Sequence, residues 1–208
     1  MAWLGWGRPD DVEERPIAEI AELCALEDVN KAPAFFDLKK LEFINASYLR
    51  ALSKEDFMER VTPWVSAEAA PWPAENFDAG KYSIMVDLVQ EKLRTLADLP
   101  RFVDFLFLEE PVDDPDSWHK AMVKGPQAVE MLDGAAVVLA DCPWETEAIK
   151  DAVAAVGEGL GIKLGKAQAP IRVALTGRTV GPPIFETMAL CFDRQVVLDR
   201  IAQARLRL

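Results

Sequence analysis

Apolar positions recur at helical spacing along most of this 208-residue chain. In "ERPIAEIAELCAL" (14–26), Ile17, Ile20, Leu23 and Cys24 share a face, with Pro16 early in the helix, where a missing N–H costs nothing. "NKAPAFFD" (30–37) interrupts the pattern, and Asp37 stands where it can cap the next helix. Over "DLKKLEFINASYLRAL" (37–52), Leu38, Leu41, Ile44, Tyr48 and Leu52 form one stripe. Ser53 and Asp56 follow the logic of a capping box and open "KEDFMERVTPWV" (54–65).

A Pro-rich connector, "SAEAAPWPAENF" (66–77), leads into a long amphipathic segment over 77–99. Its buried side is expected to be Met85, Leu88, Val89, Leu93 and Leu96, ending at Pro100. A short helix, "RFVDFLFL" (101–108), follows. The charged break "EEPVDDPDSW" (109–118) contains two prolines and supplies the best domain boundary, near 111–116. Two helices are expected at about 116–124 and 126–140. In "CPWETEAIKDAVAAVGEGLG" (142–161), Pro143 marks a helix start and Gly159 or Gly161 its stop. "IFETMALCF" and "DRQVVLDRIAQARLRL" read as closing helices. Only "IRVAL" (171–175) has β character. One short strand has nothing to pair with, so the segment is expected to be a helix start or an extended core segment. The pattern predicts an all-α protein, two helical bundles in series.

Composition adds limits. At 50% hydrophobic and 28% charged residues the chain is ordinary globular material. No apolar run reaches the roughly 18 residues of a membrane-spanning helix. The opening "MAWLGWGRPDD" is too short and lacks the basic flank of a signal peptide. Trp3, Leu4 and Trp6 are expected to be core residues whose partner helix is missing, as in a truncated start. Cys24, Cys142 and Cys191 are scattered and odd in number, so no disulfide framework is suggested and a reduced, cytoplasmic setting fits. The single histidine, His119, is expected to be a partly exposed helix residue rather than a base. No cluster has zinc-ligand spacing. "GEGLGIKLG" (157–165) follows a helix and lacks the Lys-Ser/Thr end of a phosphate loop. No Ser-His or Cys-His pairing stands out, and the acid pairs Glu109/Glu110 and Asp113/Asp114 read as solvated linker charges. No catalytic, cofactor or metal site is expected.

One stretch departs from the rest. The formal charge is −12, from 35 Asp and Glu against 23 Lys and Arg. From Leu160 to Phe185, however, there are four basic residues (Lys163, Lys166, Arg172 and Arg178) and no acid. Net acidity argues against a non-specific nucleic-acid coat but not against a local patch, because potential is screened over about 8 Å. Arg172, between Ile171 and Val173, is expected to root near a core and reach outward. Thr176, Gly177, Arg178 and Thr179 suggest a tight turn with two hydroxyls and a guanidinium. Such groups suit phosphate, sugar and base edges, and RNA is usually read at single-stranded loops. On the residues alone a purely structural role, with Arg172 and Arg178 bridging to Glu186 or Asp193, stands ahead of RNA or phosphate binding, and a protein interface behind it.

The chain resembles the C-terminal portion of bacterial glutamyl-tRNA synthetases, which are class I aminoacyl-tRNA synthetases. The resemblance is carried in family order by "AWLGWG" (2–7), "VNKAPAFFDLKKLEFINASYLR" (29–50), "DLVQEKLRTLADLP" (87–100), "WETEAIKDAV" (144–153) and "GIKLGKAQAPIRVALTGRTVGPPIFETMALCFDRQVVLDRI" (161–201). It covers nearly the whole chain. The resemblance implies the end of a stem-contact region at 1–55 and anticodon-binding helical subdomains at 56–114 and 115–208. It implies glutamate tRNA as partner, with the anticodon stem-loop as the part bound, and a separate N-terminal catalytic domain using ATP and magnesium. The family's HIGH and KMSKS-like signatures do not occur here, so this chain alone is not expected to be an enzyme or to need a cofactor. No DNA or membrane partner is expected, and a monomer is.

The resemblance also implies site residues. Arg172 falls where the family places an arginine that reaches the anticodon loop. The turn that follows, with Thr176, Arg178, Thr179 and Gly181, is expected to approach the same bases. Lys92 stands where many members carry an arginine that reads the third anticodon base, and a lysine offers a mobile point charge instead of a rigid fork. Arg94, Lys163 and Lys166 are possible supporting residues. Phe43 and Ala46 replace the family's usual Trp and Gly. The rival expectation, from another class, is a helical interaction module that docks an acidic protein through the basic loop at 163–183.

Overall fold

A computed structural model of the chain describes residues 6, 12, 14–30, 33, 35–66 and 68–208. Trp3 and Leu4 lie outside them. Among the described residues the regular structure is helical, with no strand. Helix α1 (Ile17–Leu23) buries none of its residues, and Ile17 is 85% exposed. In α2 (Leu38–Ala51) Asp37 accepts from the Lys39 and Lys40 amides, as its position predicts. The buried positions of α2 are Ala46 and Leu49, one step round from the expected stripe, whose Leu38, Leu41 and Tyr48 are exposed. Stripe periodicity locates an apolar face without saying what covers it. Ser53 accepts from the Asp56 amide and caps α3 (Lys54–Val65).

The segment expected to run unbroken over 77–99 is divided. Helix α4 (Ala79–Val89) passes into a single 3₁₀ turn, Gln90–Lys92, and the chain extends at Leu93. At the break, the Gln90 side-chain amide donates to the Leu49 and Leu52 carbonyls at 2.9 Å each and ties the end of α4 to the end of α2. A new start follows, where Thr95 and Asp98 form a reciprocal capping box ahead of α5 (Leu99–Val103).

The second half begins with α6 (Pro115–Trp118), which continues as a π-helical turn, His119–Val123, on which His119 is exposed. Helices α7 (Ala128–Asp141), α8 (Thr146–Gly159), α9 (Leu164–Thr176) and α11 (Arg194–Leu206) pack together. Helix α10 (Ile184–Cys191) lies against α8 and, in the first half, against α4. Pro143 precedes α8 by more than expected, since the helix opens at Thr146.

"IRVAL" belongs to α9, which begins seven residues earlier and runs through Pro170. An interior proline costs roughly 3 kcal/mol. Burial of Ile171, Val173 and Leu175 outweighs it, each contributing about 1.5–3 kcal/mol. Trp6, only 4% exposed, is buried as expected of a core residue. A single cluster of buried residues extends from Leu49 to Ala204 and joins the two bundles across the 109–118 connector.

Candidate nucleic-acid interface

Helix α9 ends at Gly177, whose φ of 72° is left-handed. Glycine is required there twice over, because a Cβ would also lie 2.2 Å from the Val112 carbonyl oxygen. Its own carbonyl accepts from the Asp114 amide at 2.9 Å, which fastens the start of the turn to the connector. Thr176 is buried, and its hydroxyl donates back to the Arg172 carbonyl at 2.8 Å. Ser117, buried on α6, accepts from the Thr179 amide at 3.1 Å and pairs its hydroxyl with that of Thr179 at 3.1 Å.

Arg178 points away from solvent. Its guanidinium makes a fork to Asp104, with Nη1 and Nη2 donating to the two carboxylate oxygens at 2.8 and 2.7 Å. Nη1 also donates to the Arg101 carbonyl at 2.6 Å. The two side chains are 11% and 5% exposed, so this is a buried ion pair. Its partner is neither Glu186 nor Asp193, and the guanidinium is engaged by Asp104 and the Arg101 carbonyl.

Lys92 and Arg172 converge on the other side of the turn. Lys92 Nζ donates to the Gly181 carbonyl at 3.2 Å, across 89 residues of sequence. Arg172 Nη1 donates to the next carbonyl, that of Pro182. Burial pushes the Arg172 guanidinium below its ordinary pKa, and the nearby Glu186 carboxylate opposes this. Lys92 is likewise lowered, first by burial and then by the Arg172 charge, with Glu186 again opposing. Two cations, one carboxylate and two adjacent carbonyls thus form one polar cluster.

The supporting residues divide. Arg94 donates to Glu42 at 3.1 Å, is mostly exposed, and shares with Lys92 a groove also lined by Lys39, Arg50 and Phe43. Lys163 and Lys166 are exposed at the opposite end of α9. Lys163 precedes Arg172 by nine residues, roughly 13 Å along a helix axis, so they are not part of the cluster. Sequence reasoning missed Asp104 and Ser117 as the anchors of the turn. Asp104 carried a signal, as the one charged residue inside the apolar run "FVDFLFL". Among the described residues no group of His, Cys, Asp and Glu could hold a metal ion, and no helix is long and apolar enough to cross a membrane.

Residues 56–205 match the family described as anticodon binding domain. The chain belongs to that family. It is 48% identical over 203 residues to the glutamate–tRNA ligase of Thermobifida fusca, covering 97% of this chain and 42% of the relative. It is 47% identical to that of Frankia alni, covering 99% and 43%. This anticodon-binding chain therefore spans about two fifths of the length of these curated relatives. A crystal structure of a glutamate tRNA ligase from Elizabethkingia meningosepticum has the same fold over all of this chain and 40% of its own, with a TM-score of 0.73 at 23% identity.

Proposed function

We propose that this chain reads the anticodon of glutamate tRNA as part of a glutamate–tRNA ligase. ATP, magnesium and the joining of glutamate to tRNA belong, on this reading, to the remaining three fifths of such a protein. The observation that carries the reading is the meeting of Lys92 and Arg172, from separate bundles, at the Gly181 and Pro182 carbonyls. Those carbonyls are hydrogen-bond acceptors of the kind a base edge presents, and the two donors are held ready beside them. Gly181 and Arg94 adjoin Lys92 and can add contacts, while Thr179 is tied to Ser117 and holds the turn. Thr176 and Arg178 serve the site from behind, by holding the turn.

The test is a low-salt titration of a glutamate tRNA anticodon stem-loop against the same loop altered at its third anticodon base. The expected result is tighter binding to the cognate loop. In Arg172→Ala that preference should fall by about 1–3 kcal/mol, the range for a good bidentate base contact. Equal binding to both loops, unchanged in Arg172→Ala, would reject the assignment and favour a protein-docking patch, which has no reason to distinguish bases.

A further inference from the structure

The turn at 177–183 is held from both sides by chemically different means. On one face the Gly181 and Pro182 carbonyls receive Lys92 and Arg172. On the other, Arg178 reaches across 74 residues of sequence to Asp104 with two bonds, and to the Arg101 carbonyl with a third. Asp104 lies at the end of α5, in the first bundle; Arg172 and Arg178 belong to the second. The Arg178–Asp104 fork is nearly out of water and combines with the Asp114–Gly177 and Ser117–Thr179 bonds. The exposed tip of the turn, Val180, has no such anchor of its own and depends on them.

We propose that Arg178 is a positioning residue for base discrimination. Its fork to Asp104 fixes the distance between the two bundles at the turn, and through the Gly181 and Pro182 carbonyls it sets where Lys92 and Arg172 point. This rests on the anticodon reading above but adds a residue to it and changes its role: Arg178 touches no RNA and determines which RNA is preferred. A planar guanidinium suits that task, since two parallel bonds fix orientation as well as distance, where a lysine would fix only one point. A loose turn would let either donor follow a wrong base, and selectivity would suffer before affinity.

The experiment compares wild type with Arg178→Lys, Asp104→Asn and the double variant Asp104→Asn/Arg178→Gln, which leaves no lone buried charge. Met131→Ala, a core change far along the chain, controls for lost stability. Each is titrated with the cognate and the third-base-altered stem-loops at two salt concentrations, after circular dichroism has verified its fold. The expected result is a discrimination ratio reduced about tenfold in the clamp variants, an unchanged salt slope, and an unaltered ratio in Met131→Ala. A uniform loss on both loops, with the salt slope reduced by about one charge, would make Arg178 a phosphate contact and overturn the proposal. An unchanged ratio in folded clamp variants would overturn it too. A second measurement needs no variant. When RNA is added to the wild-type chain, the guanidinium nitrogen resonances of Arg172 should shift and those of Arg178 should not; equal shifts reject the positioning role. Loss of the anticodon reading itself is distinguishable, because then Arg172→Ala would leave the ratio unchanged in the same assay.

Discussion

Lys92 shows how a single side chain can set the working range of a site. Its ammonium sits beside Arg172 and is partly withdrawn from water, and both effects favour the neutral amine. A bound polyanion would reverse this, so the pKa should be higher in the complex than in the free protein. A group whose pKa rises on binding contributes fully below the free value and loses its contribution as pH climbs through the bound one. Affinity for the stem-loop should therefore begin to decline at a pH below the ordinary lysine range. Lys92→Arg should remove that part of the decline, and anisotropy titrations of both proteins against the same RNA would cancel the RNA's own ionisation. If the two profiles coincide, Lys92 is not in the interface. Lys92 and Arg172 could be singled out from the chain because a resemblance marked them. Their meeting at two neighbouring carbonyls could not, since nothing in "VQEKLRTL" or "TVGPP" encodes a partner on the far segment. Asp104 was legible in principle, as a buried charge must have a partner, but which of several arginines it takes depends on the packing of the two halves.

At the scale of elements, local signals worked where the deciding atoms are local. Asp37 and Ser53 cap the helices they precede because a side-chain oxygen two or three residues from an orphan amide needs no tertiary help. The same logic failed over 77–99 and 171–175. There contacts distant in sequence enter: the Gln90 side chain ties the end of α4 to that of α2, and the core on α9 overrides Pro170. Contacts between helices also explain Gly157, a buried residue in the last turns of α8. A Cβ there would stand 2.8 Å from that of Ala167 on α9 and 3.1 Å from the Ile162 carbonyl oxygen. Alanine gains about 1 kcal/mol in helix propensity over glycine, but forcing a methyl group into a packed contact costs about 1–3 kcal/mol. Two backbone-rooted neighbours cannot swing aside, so the second effect wins. Gly157→Ala should lower the urea midpoint by the equivalent of about 1 kcal/mol; an increase would mean that α8 and α9 separate freely.

For the molecule as a whole, net charge and local charge point in opposite directions. An acidic body with a small basic cluster at Lys92 and Arg172 should bind RNA weakly and in a salt-sensitive way. With about three to five phosphates neutralised, affinity should fall roughly 20- to 500-fold between 50 and 200 mM salt. A stem-loop titration across that range checks this, and a flat response would leave no role for phosphate contacts. The break between helices was readable from "EEPVDDPDSW", where the helical pattern stops before Pro111 and Pro115 opens α6. That one core would run beneath that break was not readable, because Phe105 before it and Phe192 after it, whose ring centroids lie 5.9 Å apart, carry no mark of their contact.

The pairing of Lys92 and Arg172 with main-chain carbonyls has a thermodynamic consequence of its own. Each side chain already gives one N–H to a carbonyl, so a base that takes that N–H exchanges one acceptor for another and the number of hydrogen bonds stays level. A fitting partner gains little over the unbound arrangement. A misfit displaces the carbonyls and returns nothing, and the cost falls mainly on the Arg172–Pro182 bond, the less exposed of the two. Such a device accepts feebly and refuses firmly, which suits a reader whose grip on its ligand can be supplied elsewhere.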